Sequence, residues 1–188
     1  MLDAEGRIVL RGLREAGGGR LRSVHVGVYD YSAALGLAPA EQRLSHPSLD
    51  FLRNLLQVTF TGTEVALVDG STNAVPADDG SSEVHRAWRR HAADVRQSLR
   101  HGWWQGWDLH PSHLVSRYAV VYEAVLADLD GVLERLGSWH AGGSAAGVLD
   151  EPATVRALTA QVQRAVDCGA IGADEVRRRT GWLPRAEG

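Results

Sequence analysis

Three short β-rich runs, at 23–28, 64–68 and 103–109, alternate with segments of helical periodicity, and this alternation restricts the chain more than any other feature. Strands that alternate with helices form parallel sheets joined by right-handed crossovers. A short helix predicted at 8–16 precedes the first run and is stopped by Gly17-Gly18-Gly19. The turn-prone Tyr29-Asp30-Tyr31-Ser32 follows that run, and 33–46 reads as loop or broken helix. Between the first and second runs, Leu49, Leu52, Leu55/Leu56 and Thr59/Phe60 recur at helical spacing over 48–61. Between the second and third, 83–100 is an amphipathic helix with Val84, Trp88, His91, Val95 and Leu99 on one stripe. Ser112 is placed to cap one long helix whose stripe runs Leu114, Tyr118, Val121, Val125, Leu129, Val132 and Leu136. The glycine-rich stretch 141–147 reads as a linker to short helices at 151–166 and 173–179. Three strands are few for such a domain, since a complete eight-stranded barrel takes ~250 residues. Further strands are therefore expected from upstream sequence or from another chain.

Composition narrows the chemistry. All 20 Lys+Arg residues are arginine, so the chain has no lysine for a Schiff base, for anchoring pyridoxal phosphate or for a P-loop. Carbon–carbon bond chemistry would then need a metal as its electron sink. A formal charge of -3 argues against a nucleic-acid partner, which would require a basic face. No apolar run approaches the ~20 residues of a membrane span, and the start, Met1-Leu2-Asp3-Ala4-Glu5, lacks the blocks of a signal peptide. No membrane association is expected. Cys168 is the single cysteine, which excludes an intrachain disulfide and a cysteine zinc cluster and fits a reducing cytoplasm.

Ligands of parallel α/β folds bind at the carboxyl ends of the strands. Asp30 follows the first run, Asp69-Gly70-Ser71-Thr72-Asn73 the second, and Trp107-Asp108-Leu109-His110-Pro111 closes the third. Tyr29, Asp69, Ser71, Trp107 and Pro111 are the candidates for substrate contact. A strand-to-loop turn also favours residues such as Asp69, Ser71, Thr72 and Asn73. His110 could donate to a substrate oxygen or move a proton, or could serve a structural hydrogen bond. His110 and His113 are three apart without an evident third ligand, so a zinc site is not expected. Arg86, Arg89, Arg90, Arg96 and Arg100 read as the solvated face of their helix. Trp103, Trp104 and Trp107 read as packing, because no basic groove accompanies them for base stacking.

The block Val24-His25-Val26-Gly27-Val28-Tyr29-Asp30-Tyr31-Ser32-Ala33-Ala34-Leu35-Gly36 resembles a strand and loop of the citrate-lyase β-subunit and HpcH/HpaI aldolase superfamily. Gly106-Trp107-Asp108-Leu109-His110-Pro111-Ser112-His113 resembles that family's last barrel strand, and Gly147-Val148-Leu149-Asp150-Glu151-Pro152-Ala153-Thr154 its C-terminal segment. The resemblance implies the last three strand–helix units of a TIM (β/α)8 barrel over 1–140, with a small helical lid over 141–188. It further implies a lyase or aldolase acting on a 2-oxo acid or acyl-thioester through an enolate stabilised by magnesium, with manganese as the alternative ion. Asp30 would be a metal ligand. Asp150 matches an aspartate that the lid places over a neighbouring subunit's site as acid/base, although it also suits a helix N-cap. His110 joins it as the second catalytic candidate, and a homo-oligomer is expected. The family's metal-binding glutamate and carboxylate-gripping arginine lie on earlier strands, outside the part of the barrel that this chain matches. Trp107 and His113 stand where the family has lysine and glutamine, which counts against coenzyme A. Two other readings remain: a non-catalytic oligomerisation or ligand-binding module, and pyruvoyl phosphotransfer on the same barrel.

Overall fold

The computed structural model of the chain describes residues 3–76, 80–143 and 151–185. It is an α/β protein with a three-stranded parallel sheet, and it divides into two compact units, 1–117 and 118–188.

In the first unit, α1 (Val9–Gly17) ends at Gly18 in the left-handed conformation. The strand β1 (Ser23–His25) pairs with β2 (Ala66–Asp69), Val24 lying opposite Leu67. β2 in turn pairs with β3 (Gln105–Gly106), Asp69 lying opposite Gly106. The sheet order follows the chain order, β1-β2-β3. The first crossover carries α2 (Val28–Ala34), a 3-10 turn at Pro39–Glu41 and α3 (Ser48–Phe60). The second carries α4 (Ser81–Arg100). The helical stripe of α3 does what its spacing predicts: Leu49, Leu52, Leu56 and Phe60 are buried with Val26, Val28, Leu44, Val65 and Trp103 in one core. Each such aliphatic side chain contributes about 1.5–3 kcal/mol by leaving water.

β2 runs 66–69 where the sequence reading has 64–68, and the other two strands are much shorter than read. Pairing runs one residue past β1, where the Val26 N–H donates to the Val68 carbonyl (3.0 Å), and stops there. The Tyr31 N–H then donates to Gly27 O (3.0 Å), so the turn expected at 29–32 is the body of α2. The Ser32 hydroxyl donates to Val28 O (2.6 Å) and fixes that turn of helix. β3 spans two residues of the expected seven; past Gly106 it has no partner, because β2 ends at Asp69. Gly70 marks the exit of β2. A Cβ there would run into Val28 Cγ2 and lie 3.0 Å from Val26 O, so only glycine admits the close approach of these segments.

The buried face of α4 is Ala87, His91, Val95 and Ser98, more polar than the predicted stripe. At the start of α5 (Ser112–Leu126), Leu114 and Tyr118 are half exposed while His113, Ser116 and Val120 are buried. The predicted stripe therefore faces outward in that half of the helix, and a polar network takes its place.

The helix expected over 112–136 is two helices, α5 and α6 (Leu129–His140). They separate at Asp128, whose left-handed backbone (φ 52°) aspartate tolerates better than branched residues do. The units divide at 117/118, inside α5, where the sequence placed the boundary at 140/141. In the second unit α6 packs with α7 (Pro152–Asp167) and α8 (Ala173–Thr180), burying Val132, Leu133 and Leu136 with Val155, Leu158, Val162 and Val176. The helices expected as a separate lid thus share their core with α6. Gly137 permits the contact with α8, since a Cβ there would lie 2.8 Å from Arg179 O. Among the described residues no helix is long and apolar enough to cross a membrane.

Candidate functional site

Tyr29 and Asp30 occupy the first turn of α2, directly after β1. Asp30 is exposed, and its carboxylate makes no hydrogen bond or ion pair with another described residue. Tyr29 is half-buried with its hydroxyl toward the Asn73 backbone, and burial pushes that hydroxyl above its ordinary value. Ser71 and Thr72, after β2, are buried. Asp94 reaches this region from α4. Burial raises its carboxyl above the ordinary carboxylate value, partly offset by the Thr72 hydroxyl and the Arg90 guanidinium. Arg86 and Arg90 of α4, with Asn73, Ala74, Val75 and Ala87, line a shallow depression of about 410 Å3. A carboxyl that holds its proton unusually well, a tyrosine hydroxyl and two guanidinium groups can bind an acid and exchange a proton with it.

Sequence reasoning missed Asp94 and gave Arg90 only to solvent. Arg90 is indeed exposed, as are Arg86, Arg89, Arg96 and Arg100. The available signal was position: Asp94 lies three residues after His91 and four before Ser98, on the helical face that both bury.

Asp69, expected to meet substrate, is fully buried and fully engaged. The Arg53 Nε donates to Oδ1 (3.2 Å) and Oδ2 (3.1 Å), the Gly70 N–H to Oδ1 (2.9 Å) and the Ser98 hydroxyl to Oδ2 (2.6 Å). Arg53 is equally buried and spends its other nitrogens on Asp50 (2.9 Å) and Leu44 O (2.8 Å). With its charge compensated and its lone pairs occupied, Asp69 braces β2 against α3 and α4 and has no capacity left for a ligand.

A second polar cluster gathers beyond β3. His91 Nε2 lies 3.1 Å from Asp108 Oδ1 and His91 Nδ1 lies 2.7 Å from Ser116 Oγ. Arg117 grips Asp108 bidentately, Nε to Oδ2 at 2.6 Å and Nη2 to Oδ1 at 2.7 Å. Burial alone would raise the Asp108 carboxyl, yet the hydrogen bonds from His91 and Arg117 hold it far below the usual carboxylate range. The His113 ring stacks on that of His91 at 4.3 Å, and its Nε2 lies 3.0 Å from Ala74 O. Burial pushes the His113 imidazole below its ordinary value, with the Ala74 carbonyl partly opposing the shift. His91, Asp108 and His113 each offer a ligand atom within 4.8 Å of the others. His110 is not part of this group; the residues gathered beside His113 come from α4 and from the segment after β3.

Trp107 is half exposed and meets the His25 ring edge-on at 6.2 Å. His110 and Pro111 are exposed at the start of α5. The His110 Nδ1 accepts the Ser112 N–H (3.2 Å) and lies 2.8 Å from its hydroxyl. The identical tripeptide His46-Pro47-Ser48 does the same at the start of α3, with distances of 3.2 and 2.7 Å. In both places the imidazole satisfies a backbone donor that the first helical turn leaves unpaired. His110 therefore has a structural hydrogen bond of the kind its sequence allowed. Asp150 lies outside the described residues.

The environment of Asp94 has a measurable consequence. Its raised value means that the folded chain binds this proton more tightly than the unfolded chain does. The resulting stabilisation is present below the ordinary carboxylate value of ~3.9 and is lost as pH rises through the folded value. Asp94→Asn should melt at a higher temperature than the wild type at neutral pH, and thermal scans should show that gap closing below about pH 4.

The family model of DUF6986, a domain of unknown function, matches residues 1–186. No curated protein and no solved structure matches the chain. The match runs through both compact units, and the chain belongs to the DUF6986 family.

Proposed function

We propose that the chain is a carbon–carbon lyase of aldolase type, acting alone or as part of a larger (β/α) barrel on a 2-oxo acid or acyl-thioester. The observation that carries the reading is the set of parallel strands in chain order, with the unpaired Asp30 directly after β1 and Tyr29, Asp94 and Arg90 around the exit of β2.

Asp30 fits the place of one magnesium ligand. Magnesium takes one or two carboxylates and keeps several waters, and Asp30 is an exposed carboxylate with no competing protein partner among the described residues. Asp69 cannot be the second, since it is fully buried and both its oxygens are taken up by Arg53, the Ser98 hydroxyl and the Gly70 N–H. When bound, magnesium would supply positive charge beside the oxygens of a 2-oxo acid. Arg90, in the depression beside Asn73, offers a planar guanidinium for the substrate carboxylate. Asp94 as carboxylate takes the hydroxyl proton of the substrate. The carbon–carbon bond breaks, its electron pair passes into the 2-oxo fragment as an enolate, and Asp94 returns the proton to carbon. Its raised proton affinity suits both directions of transfer. His113 is buried, so it cannot stand in for a coenzyme A-binding glutamine.

Calorimetric titration of magnesium with pyruvate present tests the reading. Asp30→Ala should weaken binding roughly tenfold or more, about 1.4 kcal/mol of lost ligation. Lyase assays over a panel of 2-hydroxy and 3-hydroxyacyl substrates should show magnesium-dependent turnover that Asp94→Asn removes. Wild-type protein that binds no magnesium, or an Asp30→Ala variant that binds equally well, overturns the metal role.

A further inference from the structure

We infer that His91, Asp108 and His113 form a binding site for a divalent transition metal of the zinc class, built from residues other than those proposed around Asp30. All three belong to the first compact unit. Their ligand atoms already lie within 4.8 Å of one another, and the two imidazoles are almost completely buried. Two histidines and a carboxylate are a common ligand set for zinc, leaving a fourth position open.

The hydrogen-bond arrangement is the stronger argument. The Ser116 hydroxyl donates to His113 O at 3.1 Å. Its oxygen also lies 2.7 Å from His91 Nδ1. His91 Nε2 faces Asp108 Oδ1 at 3.1 Å, where a cation could take the place of the shared proton. In His113, Nε2–H donates to Ala74 O, which leaves the Nδ1 lone pair bare. That nitrogen is buried and has no hydrogen-bond partner. His113 thus has its outward nitrogen tied to a protein oxygen and its inner nitrogen free to ligate, the usual outer-shell pattern of a histidine metal ligand, while His91 faces Ser116 with one nitrogen and Asp108, its prospective co-ligand, with the other. Asp108 completes the pattern: Arg117 holds its carboxylate in position and ionised. Arg117 is itself seated over Gly106, where a Cβ would lie 2.6 Å from its Nη2.

The stacking sets one requirement. A ring nitrogen's lone pair lies in the ring plane, so two imidazoles stacked at 15° cannot both point at one ion. His91 is held at both nitrogens, whereas His113 is held only through Ala74. Metal binding therefore turns the His113 ring out of the stack.

Zinc titrated into metal-free protein at about pH 7.5 should bind saturably at one equivalent. Cobalt in its place should give the intense visible bands of four-coordinate geometry. His113→Gln and His91→Gln should each weaken zinc binding at least tenfold, while Asp30→Ala leaves it unchanged and so separates this site from the magnesium reading. Absence of saturable zinc binding by the wild type overturns the inference, as does a cobalt spectrum that stays weak and octahedral. So does wild-type affinity in a His113→Gln variant whose circular dichroism and melting are intact. If His91→Gln does not fold, the wild-type spectrum and His113→Gln decide.

Discussion

Asp69→Ala should lower the stability of the first unit by about 3–5 kcal/mol, the cost of leaving one charge of a buried pair without its partner. For a unit of this size that is a fall in melting temperature of roughly 12–20 °C. The reason lies in what remains after the substitution. Arg53 keeps Asp50 and Leu44 O but loses the carboxylate that received its Nε, and it has no exposure through which water could replace it. The Gly70 N–H loses its acceptor at the same time, and the Ser98 hydroxyl is left with only the longer bond to Asp94 O (3.2 Å). Arg53→Met should cost a similar amount by stranding Asp69. The double variant Arg53→Met/Asp69→Ala removes both charges and should be destabilised by much less than the sum of the two single changes, as a double-mutant cycle in urea would show. Equal and additive losses would mean that the pair contributes through packing alone.

Gly70→Ala should cost about 1–3 kcal/mol by overpacking, without changing any polar group. Its new Cβ meets Val28 Cγ2, Val26 O at 3.0 Å and Leu44 Cδ1 at 3.1 Å. Two of these belong to backbone and core that cannot yield separately, since Val26 is paired to Val68 and Val28 opens α2. Removing the obstructing methyls should restore space, so Val28→Ala should cost less in the Gly70→Ala background than in the wild type. Denaturant melts of the four proteins measure that coupling. Because Gly70 lies between Asp69 and the buried Ser71, the single variant should also shift ligand binding at the exit of β2.

The helices were legible because their signals are local and periodic. The stripe of α3 and the glycine stop after α1 need no knowledge of the rest of the chain. Parallel pairing and strand order followed from the alternation of elements. Strand lengths did not, because residues 26–28 and 103–109 are equally apolar whether or not a neighbour offers an edge. The helical start at Val28 depends on the Val26 to Val68 pairing ending where it does, a long-range fact. The break at Asp128 was hidden by an apolar stripe that continues on both sides of it. At the site, Asp30 and Asp69 looked alike, each an aspartate near the end of a strand. Only Arg53, sixteen residues earlier on another element, distinguishes the engaged carboxylate from the exposed one. The periodicity of α4 puts His91 and Asp94 on or beside its buried face, but not what they meet there, since their partners come from the segments after β2 and β3 and from the start of α5.

The repeated His-Pro-Ser start has a consequence for the order in which the chain acquires structure. The signal that opens α3 and the one that opens α5 are each complete within three consecutive residues, and neither needs the sheet. Pairing β1 with β2, by contrast, brings residue 23 to residue 66 and must first bear the entropy of closing the intervening loop. Both helices should therefore begin at Ser48 and Ser112 early, while the strands are still apart, and the sheet should close onto helices whose first residues are already set.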